Sequence, residues 1–261
     1  MAAHHTFVGI SLKMYLGHRA TLDWTRAVVD IARADPGVSA GRTTVALLPT
    51  FVSLDASLAL AAGTPVAIGA QDLFWEDNGA FTGEVSGQTL AEIGCGYVEI
   101  GHAERRSLFG EDEGVVARKL AAAARNGLAP ILCVGEPAHG SAASAAAVSI
   151  AQLRSALSEL EGTLDHLVVA YEPVWAIGAA KPADPEHVRA VCREIRAELD
   201  SHPRIGRGTV IYGGSAGPGV LDTLGEDVDG LFLGRFAHDP EALRSILVEA
   251  DAQHETVSPA H

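Results

Sequence analysis

Cysteine is scarce. Its three residues, Cys95, Cys133 and Cys192, are widely spaced along 261 positions and sit among apolar neighbours. An odd, scattered set excludes a disulfide framework, offers no metal-ligand spacing, and predicts buried free thiols in a reducing compartment. Long apolar runs are missing too: no stretch reaches the ~20 residues of a membrane span. Hydrophobic residues still make up 48% of the chain, enough for a large core. Basic residues are outnumbered, 19 Lys and Arg against 33 Asp and Glu, for a formal charge of -14. That balance argues against nucleic acid or an anionic membrane as partner. An anionic substrate would need positive potential created locally. The eleven histidines show no ligand spacing, and His4-His5 reads as terminal sequence. The opening MAAHHTFVGISLK lacks a charged n-region and an h-region, so the expectation is a cytoplasmic protein without a signal peptide.

What is present is a regular alternation of short apolar strands with helical patterns. Strand-like runs occur at Phe7–Leu12, Thr44–Leu48, Val66–Ala70, Tyr97–Ile100, Pro130–Val134, Leu167–Tyr171, Thr209–Tyr212 and Gly230–Leu233. Helical period appears between them, as in Leu22–Ala34, Val115–Asn126, Ala145–Glu161, Pro185–Asp200 and Pro240–Ala250. Eight strand-helix units in this length predict an α/β fold, a single (β/α)8 barrel. A doubly wound sheet is the competing fold, but no Gly-x-Gly-x-x-Gly follows the first strand. No linker or composition break interrupts the pattern. Residues 1–251 are therefore expected to form one domain, with 252–261 a flexible tail. Ser141–Ala147, low in complexity, is expected to open a helix.

One stretch concentrates chemistry. Val168–Ala183 reads VVAYEPVWAIGAAKPA: a buried-strand pattern, then Glu172 where the strand runs out, then Pro173, which cannot donate to a ladder. Trp175 and Ile177 follow in a loop bracketed by Pro173 and Pro182, with small residues at its tip, the composition of a hinged lid. A carboxylate under an apolar lid suits a general base, because desolvation raises its pKa. The bland alternative is an ordinary loop.

In such a barrel the chemistry sits where strands end. Lys13 follows the first strand and would project over the barrel mouth; in isolation it reads equally as a lysine snorkelling to solvent. His102 follows the fourth strand at a helix start, where the positive helix end would keep the imidazole neutral; a lone histidine is more often structural. Arg105 and Arg106 read as scaffold ion-pair residues. Gly213-Gly214-Ser215 and Gly234-Arg235 end the seventh and eighth strands, and glycine-rich ends that lead into helices bind anions, phosphate in barrels. A bare GGS turn alone would be weak support.

The motifs LKM at 12–14, NGAFTGEVS at 78–86, IGHAERR at 100–106, CVGE at 133–136, AYEPVWAIG at 170–178 and YGGS at 212–215 occur in one order along the chain. In this the sequence resembles the triosephosphate isomerase family over essentially its full length. The resemblance implies Glu172 as catalytic base, His102 as the neutral electrophile and Lys13 as the partner of enediolate and phosphate. It further implies Gly178, Ser215 and Gly234 as phosphate-binding amides, Glu104 as the carboxylate that positions the lysine, and residues 173–183 as the lid. It implies a homodimer in which Thr82 enters the neighbouring subunit's site region, and exposed Phe74, Trp75 and Phe81 would suit that. No metal or organic cofactor is expected, since an acid/base pair and an oxyanion stabiliser suffice for the reaction.

The sequence also departs from the family. Its Asn-Trp-Lys-Met-Asn is here Ser11-Leu12-Lys13-Met14-Tyr15, the Ser of its Gly-His-Ser-Glu is Ala103, and its Gly-Gly after the eighth strand is Gly234-Arg235. The lid reads GAAKPA in place of GTGKTA. Base, electrophile and lysine are intact, whereas fewer side-chain atoms at Ser11 and Ala103 would make room for an extra carbon. The expected substrate is a four-carbon phosphoketose, as for the L-erythrulose-1-phosphate isomerases, with Ser11 and Arg235 among its contacts; the alternative is a divergent triosephosphate isomerase. A Schiff-base aldolase is disfavoured because Lys13 accompanies a complete Glu/His pair, and a catalytically dead barrel because all three groups are present.

Overall fold

The computed structural model describes residues 5–178 and 183–257. In chain order the elements are β1 (Thr6–Ser11), α1 (His18–Ala34), α2 (Pro36–Ser39), β2 (Thr43–Leu48), α3 (Leu54–Ala61), β3 (Val66–Ala70), α4 (Gly87–Ile93), β4 (Tyr97–Ile100), α5 (Ala103–Phe109), α6 (Glu113–Arg125), β5 (Ala129–Val134), α7 (Ala142–Ala156), β6 (Leu164–Tyr171), α8 (Pro185–Ser201), β7 (Ile205–Tyr212), α9 (Val220–Leu224), β8 (Gly230–Leu233) and α10 (Pro240–Val257). The strands close in sequence order into a parallel barrel, β8 pairing with β1. The fold is a (β/α)8 barrel.

Alternation along the strands sorts the core into two layers. Phe7, Ala46, Leu48, Ile131, Cys133, Val168, Ala170, Ile211 and Phe232 fill the barrel interior, with Tyr97 edge-on to Phe7 at 5.2 Å. The intervening residues, such as Val8, Ile10, Val98, Ile100, Leu132 and Val169, face outward under the helices. Strands buried on both faces therefore read as apolar runs without visible alternation. The helices are amphipathic, as in α1, which buries Trp24, Val28, Val29, Ile31 and Ala32.

Caps set most helix starts. Ser141 accepts from the Ser144 amide at 3.2 Å and starts α7 three residues before the expected position. Asp184 caps α8, with Pro185 at its first position. Two expectations need correction. Strands β6 and β7 begin earlier than their apolar runs, pairing from Leu164↔Ile205 onward; Asp165, His166 and Arg207 in that extension obscured it. The proposed tail from 252 is helical through Val257, and His254 Nε2 lies 3.4 Å from Thr6 Oγ1 and 3.3 Å from Thr43 Oγ1. These contacts tie the end of α10 to the bottom of β1 and β2. Residues 258–261 lie outside the described residues.

Candidate active site

One step beyond the apolar layers, the same alternation aims a different set of residues into the barrel mouth. Ser11 ends β1, Glu99 lies in β4, and Glu172, Gly213 and Gly234 follow β6, β7 and β8 directly. A cavity of about 680 Å³ opens there, at the C-terminal ends of the strands. Nine of the ten residues singled out from the sequence line it: Ser11, Lys13, His102, Glu104, Glu172, Gly178, Ser215, Gly234 and Arg235. Thr82 does not; it is exposed in the loop before α4.

Glu172 is built in by glycine. Its amide donates to the Val134 carbonyl at 2.8 Å, extending β6 by one residue beside β5. A Cβ on Gly213 would sit 2.7 Å from Glu172 Cγ, and one on Gly135 would sit 2.0 Å from the Glu172 carbonyl oxygen. Only glycine at both positions lets the side chain occupy this slot. The carboxyl is buried, and Oε2 has no hydrogen-bond partner. Burial first, and the neighbouring Glu99 charge second, push its pKa up to about 8. Such a carboxyl holds and releases a proton near neutrality, which is what a general base requires.

His102 caps α5 with its ring. Nδ1 accepts the Glu104 amide hydrogen at 3.1 Å, so that nitrogen carries no proton and Nε2 bears the N–H. Burial, then the charges of Lys13 and Arg105, hold the imidazole down to about 4 against the pull of Glu104. It is neutral at pH 7. Nε2 lies 3.6 Å from Glu172 Oε2, so base and N–H donor face the same space.

Lys13 does not snorkel. Its Nζ donates to Glu104 Oε1 at 2.7 Å, and its backbone is left-handed at φ 49, the only such non-glycine among the described residues. The Gln71 side chain holds this turn by donating to the Lys13 and Leu48 carbonyls at 3.1 and 2.8 Å. Strain of this kind is kept where a side chain must be aimed. Burial lowers the ammonium pKa, but Glu104, Glu172 and Glu99 outweigh it, so the group stays charged with its pKa raised.

Glu99 escaped the sequence reading. It is buried, its Oε2 accepts from Ser11 Oγ at 2.8 Å, and its Oε1 lies 4.0 Å from His102 Nε2. Burial lifts its pKa to about 7, against the Ser11 bond and Lys13. The signal was a lone acid inside the run Tyr97–Ile100, on the inward-facing Tyr97 side of the strand.

The opposite wall is formed by the loops after β6, β7 and β8. Ser215 Oγ donates to the Ala176 carbonyl at 2.9 Å, tying the loop after β7 to the loop after β6. The Arg235 guanidinium lines the cavity, and a Cβ on Gly178 would approach its Nη2 to 3.6 Å. The expectation that both strand ends run straight into helices is corrected. The chain stays irregular from 213 to 219 before the short α9, and Arg235–His238 is a 3-10 turn. The cavity wall there is loop backbone with one cation. Trp175 Nε1 donates to Glu136 Oε1 at 2.7 Å, anchoring the start of the loop after β6, while 179–182 of the expected lid lie outside the described residues. Ala103 opens onto a separate void of about 20 Å³ beside Glu172 and not onto the main cavity.

A neutral N–H donor, a buried carboxyl at its side and a charged lysine across from both are the kinds of group that proton transfer uses. The family model described as triosephosphate isomerase matches residues 6–250. The chain belongs to the triosephosphate isomerase family. It is 50% identical over 252 residues to the L-erythrulose-1-phosphate isomerase of Pectobacterium atrosepticum, covering 96% of this chain and 97% of that one. With the triosephosphate isomerase of Moorella thermoacetica it shares 42% over 234 residues, 87% of this chain and 93% of the other. For the triosephosphate isomerase of Chloroflexus aurantiacus the values are 45% over 193 residues, 71% and 77%. The protein is an isomerase of this family. Among the described residues no helix is long and apolar enough to cross a membrane.

Proposed function

We propose that this isomerase moves a carbonyl between the two inner carbons of a four-carbon phosphoketose, converting L-erythrulose 1-phosphate to D-erythrulose 4-phosphate without metal or organic cofactor. Glu172 removes the proton from the hydroxyl-bearing carbon next to the carbonyl. His102 Nε2–H donates to the carbonyl oxygen as charge develops there, and Lys13 balances the enediolate and the phosphate. Glu172 then returns the proton to the neighbouring carbon, while the hydroxyl hydrogen passes from the new carbonyl oxygen to the old one by way of His102 Nε2. Gly178, Ser215, Gly234 and Arg235 receive the phosphate. The observation that carries the substrate is the 50% identity, along 96% of the chain, to a protein bearing that name. Small, polar Ser11 on the cavity wall is consistent with it.

The second reading is a triosephosphate isomerase, favoured by 42% identity over 87% of the chain and by the intact catalytic set. Comparing kcat/KM for L-erythrulose 1-phosphate and glyceraldehyde 3-phosphate separates the two. A large preference for the tetrulose supports the proposal, and a large preference for the triose overturns it. The same reading carries a cytoplasmic homodimer, with Thr82 reaching toward the partner. Phe81, 41% exposed and stacked on Phe74 at 4.6 Å, is an apolar tip suited to such burial. Sedimentation at micromolar concentration tests it, and a monomer would refute it.

A further inference from the structure

A carboxyl inside the barrel is costly. The interior directly below it is filled by apolar side chains such as Leu48, Cys133, Ala170, Ile211 and Phe232, and burying a carboxyl there costs several kcal/mol unless a partner compensates. Glu99 is 3% exposed, and the partner it reaches is no cation but the Ser11 hydroxyl at 2.8 Å. That bond links β1 to β4 through the barrel interior. In the closed order of strands it is a chord on the β2–β3 side of the axis. Gly178, Ser215, Gly234 and Arg235, which follow β6, β7 and β8, stand on the other side. Glu172 and His102 lie between, their reactive atoms 3.6 Å apart. A substrate anchored by phosphate at the β6–β8 loops and reacting at Glu172 thus points its remaining end at the chord.

The chord has one polarity. A serine hydroxyl carries one hydrogen, and here it is donated to Glu99; the lone pairs of Ser11, which lines the cavity, are left to accept. We propose that Ser11 and Glu99 form a hydroxyl-binding subsite beyond the reacting centre, in which Glu99 is a positioning residue that holds Ser11 as acceptor for the substrate's terminal hydroxymethyl group. The inference rests on the tetrulose reading above and adds a specificity determinant to it. Glu99 also lies 4.0 Å from His102 Nε2, so its removal touches the reacting centre for any substrate. The test must cancel that shared effect.

Glu99→Gln, Ser11→Ala and the double variant are compared with the parent by two measurements. The first is kcat/KM for L-erythrulose 1-phosphate. The second is the Kd of 2-phosphoglycolate, whose carboxylate and phosphate occupy the reacting and anion ends but which has no hydroxymethyl group. Each single variant is expected to lower kcat/KM by about 10- to 100-fold, the range for a hydrogen bond to a charged group, mainly through KM. Binding of phosphoglycolate, which shares the reacting centre but not the subsite, should weaken by less than threefold. The double variant should lose little more than either single one, because both act through one hydroxyl. A parallel loss of phosphoglycolate binding would assign Glu99 to the scaffold and overturn the subsite. So would fully additive losses, or a kcat/KM for Glu99→Gln within threefold of the parent. A parent inactive on the tetrulose phosphate would refute the substrate reading itself, and the subsite with it; an active parent with an indifferent Glu99 removes the subsite alone.

Discussion

Two clusters of buried charge lie within a few residues of each other, and they are built oppositely. In the first, Lys119 Nζ lies 2.5 Å from both Asp72 Oδ1 and Glu111 Oε1, while Arg105 reaches Asp72 at 2.9 Å and Glu111 at 2.5 Å. Each charge there faces an opposite one, and the cluster pins α5 and α6 to the loop after β3. In the second, Glu172 and Glu99 are both buried beside His102, a ring held neutral, and the nearest cation, Lys13, is bonded to Glu104 instead. Paired charges hold the frame together. Under-paired carboxyls cost stability and remain only where they act.

The largest effect that would break this contrast is in the second cluster. Glu172→Gln should lower kcat by roughly 10²- to 10⁴-fold, the usual contribution of a general base, without lowering Tm; retained turnover would place the base elsewhere. Lys119→Met strips the first cluster of its central cation. Unfolding titrations should show a loss of about 3–5 kcal/mol, while the folded fraction keeps its kcat. A stable variant with damaged turnover would reverse the contrast. Lys13→Ala should cost roughly 10²- to 10³-fold in kcat, as for removal of one pre-aimed electrostatic donor, and a change in Tm alone would return Lys13 to the surface. Gly213→Ala forces a Cβ against Glu172 Cγ and should cost up to ~10²-fold through misplacement of the base; unchanged kcat would show that the slot yields.

The smallest effect is a pH dependence. The Glu172 carboxyl ionises near the ordinary 4.5 in the unfolded chain and at about 8 when folded. Between those values the folded state holds the extra proton, so stability from this group falls as pH rises. Glu172→Gln should therefore raise Tm more at pH 8.5 than at pH 5, as read by calorimetry; an equal shift at both would deny the raised value. For the parent, kcat/KM should climb with pH toward about 8 as the base ionises, and Glu99→Gln should move that limb downward by removing a neighbouring charge.

Most of the strand ends were legible because burial on both faces leaves unbroken apolar runs; Val66–Ala70, Tyr97–Ile100 and Gly230–Leu233 are observed as expected. The lower halves of β6 and β7 were not, because His166 and Arg207 pair through backbone where no apolar pattern marks them. Glu172, His102 and Lys13 were legible as polar residues at strand ends within long motifs. Glu99 was not, since a single acid in a four-residue strand carries no motif, and Ala103 was credited with space that lies in a different void.

The sequence by itself determined the barrel and its order, because periodicity is local, and it singled out Glu172, His102 and Lys13 as polar residues at strand ends. It also set the demand for glycine at 135 and 213, though not the reason for it. Only the tertiary structure decided that Glu172 and Glu99 would both be buried beside His102, that Lys13 would be turned toward Glu104, and that Ser11 would bond across the barrel to β4. Those pairings join positions up to 91 residues apart. They follow from closure of the sheet, which brings inward-facing side chains of distant strands to one axis and removes the water that would otherwise keep their charges apart.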